Sequence, residues 1–251
     1  YYLVRTSDES TDKIEGSVVW CKWTNHEILV LLIKRILTYF GDSVDENTLM
    51  KTPQLHLRFH LERVMESTFS GRGKWENVYM YKILMSLIRK RPRDLVKLCS
   101  LAAQQAQQTN SPLIKTEHFQ AIFEEYSQGR IQDTINEYKS ELPNIENLLF
   151  GMRPTKKQRN ASDGYIYTTA ELIQKLNNIR QHTNFIFKNG RKASANELAQ
   201  FLYKINFLTA RKIVESGEIQ RKYFEENRYI SSSFVDFGYD WEVHPAFRWV
   251  L

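Results

Sequence analysis

Pro92 stands in RKRPRDLVKLC, residues 89–99, between two stretches that each carry helical periodicity. A proline inside a helix costs about 3 kcal/mol, because it lacks an N–H and its ring collides with the preceding turn. At the first helical position the cost is small, since that N–H would be unpaired in any case. The chain must therefore break at Pro92 and begin a new helix there, expected to run to about Gln107 with Leu95, Cys99, Ala102 and Ala106 on its buried face. Arg89 and Lys90 then fall at the end of the preceding helix, where cations are favoured, and Asp94 falls in a first turn, where acids are favoured. Arg93 is the exception, a cation facing the positive pole of its own helix. Two compensations are open to it: a surface ion pair, worth about 0–1 kcal/mol, or an anion such as a phosphate, shared with the free N–H groups of the helix start.

Three more helix starts are written as capping boxes, Thr24 with Glu27, Thr168 with Glu171 and Ser194 with Glu197. The first opens a helix with Ile28, Leu29, Leu32, Ile33, Ile36, Leu37 and Phe40 on one stripe, and Gly41 ends it. Periodicity places further helices over 55–69, 76–90 and 117–142, with a short one after Pro143. GMRPTKKQRNASDG, residues 151–164, breaks the pattern, and a linker is placed over 151–165. Beyond it, FIFKNGRK carries an Asn-Gly turn, residues 210–214 read as a short helix ending near Gly217, and KYF, RYIS, FVDF and WEVH read as strands. Three helices and then a small hairpin is the order of a winged helix. The expected fold is thus mainly α: a helical bundle followed by a winged-helix domain with a small antiparallel β-hairpin. If that domain binds DNA, LTARKIVES is its recognition helix, with Arg211 and Lys212 on phosphates and Arg221 and Lys222 at the start of the wing.

The bulk properties remove several classes. No apolar run approaches the ~20 residues of a membrane span, and no signal-peptide pattern opens the chain. Two cysteines, Cys21 and Cys99, both in apolar sequence, suit a reducing cytoplasm better than a disulfide or zinc framework. Residues 166–251 hold 12 Lys and Arg against 9 Asp and Glu, and the remainder 23 against 20, so the net +6 is not concentrated in one basic module. No G-x-x-x-x-G-K-[ST] loop occurs, and GRGKW at 71–75 lacks the spacing that cradles phosphates. The chain alone is therefore not expected to hydrolyse ATP. His56 and His60 share a helical face without the glutamate of a zinc protease, and no metal site is expected. Trp241 and Trp249 suit either a core or a self-association surface. The opening YYLVRT reads as a strand, which needs neighbouring strands that a lone segment lacks.

The runs RPRDLVKLCSLAAQQA, TEHFQAIFEEYSQGRIQDTINEYKSELPNIENLL and WEVHPAFRWVL resemble the C-terminal portion of bacterial STAND/AAA+-like P-loop ATPases, where a helical lid and a winged helix follow the nucleotide-binding core. The resemblance covers nearly the whole chain in order. YYLVRTSDES stands where the last core strand would be, KWTNHEILVLLIKRI where the first lid helix would be, and RPRD at the sensor-2 region. It implies a core remnant over 1–23, a lid over 24–150, the linker, and a winged helix over 166–251. It implies ATP or ADP with magnesium held by the parent protein, an upstream ATPase core of the same protein as partner, no membrane, and a regulatory role in signalling, often in bacterial defence. Pro92 and Arg93 match the family's proline–arginine step, which makes Arg93 the candidate phosphate contact and Arg91 its reserve. His244 in EVHP stands where some STAND proteins place a histidine on the β-phosphate of ADP, although the usual Met-His-Asp form is absent. A structural histidine beside Pro245 is the competing reading, and a DNA-binding winged helix is the alternative function.

Overall fold

Thr24 opens α1 (Asn25–Tyr39) with both halves of its capping box formed, the hydroxyl accepting from the Glu27 N–H and the Glu27 carboxylate accepting from the Thr24 N–H. The chain leaves α1 through Gly41 at φ 76°, a left-handed conformation that glycine adopts without strain. The computed structural model describes residues 23–155, 164–215, 219–226 and 238–251. The opening strand-like segment, Cys21, and the RYIS and FVDF pieces lie outside these residues. Asp45 caps α2 (Glu46–Lys51), and α3 (Gln54–Leu61) follows.

The helix expected over 55–69 stops at Leu61 because the next residues find backbone partners elsewhere. Glu66 N–H donates to Ile114 at 2.9 Å and Ile114 N–H to Val64 at 2.9 Å. Residues 68–79 then form a short hairpin, with Phe69 N–H donating to Val78 and Asn77 N–H to Phe69, so α4 (Met80–Leu87) starts later than its periodicity suggests. Pro92 begins α5 (Pro92–Gln108) as its first residue. α6 (Thr116–Tyr138) and α7 (Ile145–Gly151) complete the helical part.

The C-terminal part contains β1 (Ile166–Tyr167), α8 (Thr169–His182), α9 (Ala195–Lys204), β2 (Leu208–Ile213), β3 (Ile219–Lys222) and β4 (Asp240–Val243). Thr168 and Ser194 cap α8 and α9 with complete capping boxes. Between these helices the Asn-Gly turn closes as expected, with Gly190 at φ 80° and Ile186 paired with Lys192. The sheet is antiparallel in the order β1-β4-β2-β3.

This corrects one expectation. Residues 210–214 lie largely in β2 and not in a third helix. β2 has a partner on each edge, Ala210 facing Trp241 on β4 and Lys222 on β3. Two paired edges and the burial of Leu208 and Ala210 outweigh the helical preference of Ala, Arg and Lys. The fold is mainly α with one small antiparallel sheet, as expected at that level.

The described residues form two apolar cores, and α6 runs through both. Phe119, Ile122, Phe123 and Tyr126 pack with α1, α3, α4 and α5, while Ile131 packs with α7, α8, α9 and the sheet. The change of core thus falls inside a continuous helix. Residues 151–155, the start of the expected linker, are docked: Met152 is fully buried, Arg153 donates to the Val250 carbonyl at 2.9 Å, and a Cβ on Gly151 would lie 3.0 Å from Ile179. Residues 156–163 lie outside the described residues. Among the described residues no helix is long and apolar enough to cross a membrane.

Because one helix serves both cores, they should unfold together. Leu98→Ala in the first core and Phe207→Ala in the second each remove a fully buried side chain and should cost about 3 kcal/mol. In urea titrations followed by far- and near-ultraviolet circular dichroism, each should shift one shared transition. Two resolved transitions, with only one displaced, would show that the cores are independent.

Candidate functional site

Between α4 and α5 the chain is neither helix nor strand, and it passes from the buried Ile88 and Arg89 to the half-buried Lys90 and Arg91. Ile88 is extended, Lys90 is left-handed at φ 51°, and Arg91 returns to extended geometry as the N-cap of α5. A lysine in the left-handed region is strained by roughly 1–2 kcal/mol. The reversal sends Arg89 into the interior and leaves Arg93 at the surface.

Arg89 and Asp94 have fully enclosed side chains. Arg89 Nε donates to Asp94 Oδ2 at 2.9 Å, its Nη1 donates to Thr134 Oγ1 at 3.0 Å, and its backbone N–H points at the same carboxylate at 3.4 Å. Arg130 of α6 donates to the other carboxylate oxygen, and its second Nη reaches Asp133 at 2.9 Å. Tyr126 supports the junction from below, its hydroxyl donating to the Leu87 carbonyl at 2.9 Å. Burial alone would raise the Asp94 carboxyl, but the guanidinium groups of Arg89 and Arg130 outweigh it and hold it at about 2.

Arg93 is exposed and has no ion-pair or hydrogen-bond partner among the described residues. Arg91 is half-buried and pairs with Glu137 of α6 at 2.9 Å. Of the two candidate phosphate contacts, Arg93 is therefore open to solvent while Arg91 already has a carboxylate. Lys90 bridges to the C-terminal part, pairing with Glu226 and lying 4.8 Å from the Tyr223 ring.

His244 is fully buried at the end of β4. Its Nδ1 accepts from the Ala246 N–H at 3.1 Å, so the proton of the neutral ring sits on Nε2, which faces the Tyr223 hydroxyl at 3.2 Å. Burial, reinforced by Arg221 and Arg89, pushes the imidazole down to about 3. The side chain caps the 3-10 turn Pro245–Phe247 and does not reach the surface.

The four positions of the DNA reading stand on strands. Arg211 is buried with its Nε 4.0 Å from Glu242, and Arg221 holds the same carboxylate through Nε at 2.6 Å and Nη2 at 3.2 Å. Arg248 completes the set, donating to Glu242 and to the Val243 carbonyl. Burial pushes the Glu242 carboxyl up, but Arg221 and Arg248 prevail and hold it at about 2. Lys212 is exposed and Lys222 half-buried. Sequence reasoning missed both arginine–carboxylate clusters. A partial signal existed for the first, since Asp94 is the sole acid among the bases of RKRPRD.

Residues 54–135 match the family model of the FunZ-associated C-terminal helical domain. The matched segment begins with α3 and ends in α6, so it contains the whole Arg89–Asp94–Arg130–Thr134 cluster and Arg93. It spans about a third of the chain and leaves out α1, α2 and the C-terminal sheet. No curated protein and no solved structure matches the chain.

Asp94→Asn keeps the side-chain shape while leaving two buried guanidinium groups without a counter-charge, and should cost about 3–5 kcal/mol in urea denaturation. The wild-type contribution of Asp94 is complete above its unfolded value of 3.8 and is lost as pH falls toward about 2. His244 acts in a separate window. Its folded value of about 3 lies below the unfolded 6.5, so between them the unfolded chain binds an extra proton and stability falls with pH. His244→Asn keeps an acceptor for Ala246 and removes that proton. Between pH 6.5 and pH 4.5 the wild type should lose stability more steeply than the variant, by up to about 1.4 kcal/mol per pH unit.

Proposed function

We propose that this chain is the lid and C-terminal regulatory portion of a STAND-like P-loop ATPase, and that it senses whether ADP or ATP is bound by the core. The observation that carries the proposal is Arg93, an exposed cation in the first turn of α5 with no ion-pair partner among the described residues, at a helix start where Pro92 has no N–H and the Asp94 N–H is already given to the Arg91 carbonyl. A cation at that end of a helix has no internal reason to be there, and a phosphate compensates both it and the dipole. Arg93, through its guanidinium and its own backbone N–H, would hold a phosphate oxygen. The nucleotide supplies that anion when bound, and magnesium and the remaining contacts belong to the core.

The surroundings suit a sensor. Lys90, Arg89 and Asp94 flank Arg93 and are tied respectively to Glu226, to Thr134 and to Arg130. A displacement of Arg93 toward a phosphate would therefore pull on α6 and on the C-terminal part together, as one body. The similarity of residues 54–135 to a C-terminal helical domain described as FunZ-associated also suits a module that acts with another component. Signalling in bacterial defence is the wider role we assign to the parent.

Labelled ADP and ATP titrated into the complete protein test this. Arg93→Ala should weaken at least one of them about tenfold, or ~1.4 kcal/mol, with unchanged thermal stability because the side chain is exposed. Unchanged affinity for both nucleotides would remove the lid assignment.

A further inference from the structure

GRGKW forms the tip of the 68–79 hairpin and overhangs a hollow of about 350 Å³. Aromatic rings from three parts of the chain make the walls. Phe123 of α6 and Trp249 stack with centroids 4.4 Å apart, Trp75 lies 5.7 Å from Trp249 and 5.8 Å from Phe123, and Phe69 meets Trp75 edge-on at 5.7 Å. Trp75 and Trp249 are only half-buried, so each presents part of its ring to the hollow. Arg72, Lys74 and the Gln120 amide line the rim, and no acid does. Arg72 is exposed and has no ion-pair partner among the described residues.

The loop is shaped for this position. Ser70 N–H donates to Thr116 Oγ1 at 2.9 Å, fixing the base of the tip to the start of α6. A Cβ on Gly71 would lie 2.4 Å from the Phe69 ring and 2.6 Å from Gln120 Nε2, so only glycine lets the backbone lie against the wall. Gly73 turns at φ 99°, between the two cations.

We propose that this hollow binds a nucleobase bearing a phosphate, either a free mononucleotide or one nucleotide of a single strand. Partly exposed aromatic rings offer a flat base a stacking surface, worth about 1–3 kcal/mol. Gln120 can pair with a base edge through both donor and acceptor. Arg72 and Lys74 stand where a phosphate attached to that base would emerge. The site is independent of Arg93 and of the lid reading, because it uses a different loop, different cations and the C-terminal tryptophan.

Fluorescence anisotropy of a labelled pentathymidylate, with AMP as competitor, tests the proposal on the complete protein. We expect binding that weakens with salt and falls about tenfold in Trp75→Ala. Arg72→Glu lies on an exposed loop, leaves the walls intact, and should lose affinity to at least the same degree. Competition by AMP would identify the free nucleotide as the source, and failure to compete would identify the strand. Either result needs Arg93→Ala to leave the anisotropy unchanged, which separates this site from the lid. No binding of either probe, binding insensitive to both hollow variants, or preference for a tyrosine-phosphorylated peptide would overturn the assignment.

Discussion

A single carboxylate, Asp94, holds the two arginines around which the helical part is arranged. Three elements meet on it: the α4–α5 junction through Arg89, the first turn of α5 through Asp94 itself, and the middle of α6 through Arg130. A buried ion pair of this kind adds little net stability, since desolvation offsets most of the attraction, but it allows few alternative arrangements. Fixing which way the junction turns is the better account of its presence. With Arg89 drawn inward, the left-handed Lys90 follows, and Arg93 is left facing solvent. The exposure of Arg93 is thus a consequence of the burial of Arg89.

The C-terminal part repeats the device with different residues. Glu242 on β4 accepts from Arg221 on β3 and Arg248 beyond the sheet, with Arg211 on β2 nearby. His244 lies between the two clusters and feels both, its charged form disfavoured first by burial and then by Arg221 and Arg89. A neutral histidine is the species that fits between two sets of guanidinium groups. Its two polar contacts, to the Tyr223 hydroxyl at 3.2 Å and from the Ala246 N–H at 3.1 Å, are ones the neutral ring can make.

What could be seen in the sequence was what is decided locally. The three capping boxes, the break at Pro92 and the Asn-Gly turn involve residues at most a few positions apart, and each formed where its pattern placed it. β2 was misread because Leu-Thr-Ala-Arg-Lys-Ile has no strong local preference and its strand geometry comes from partners on both sides. The periodicity over 55–69 and 76–90 overstates both helices for the same reason, since residues 64–69 and 78–79 pair across the chain. The inward turn of Arg89 is not visible locally, because the Asp94 carboxylate it meets is held from α6 by Arg130, and its second partner, Thr134, lies 45 residues away. Charge pattern alone cannot tell a cation that faces water from one that faces a buried carboxylate.

The last eight residues connect these features physically. Ala246 packs into the first core and Phe247 into the second, with Phe247 under the Arg89 guanidinium at 5.3 Å. Two residues on, Trp249 stacks on Phe123 beside the GRGKW loop. His244 anchors the start of this segment, and the Arg153 side chain holds the carbonyl of Val250 near its end. The Arg89 guanidinium rests on the Phe247 ring, and Phe247 is joined to Trp249 by only two peptide bonds. The RPRD junction and the aromatic hollow are therefore joined through packed side chains and one short stretch of backbone, so the last eight residues serve as a common wall for both.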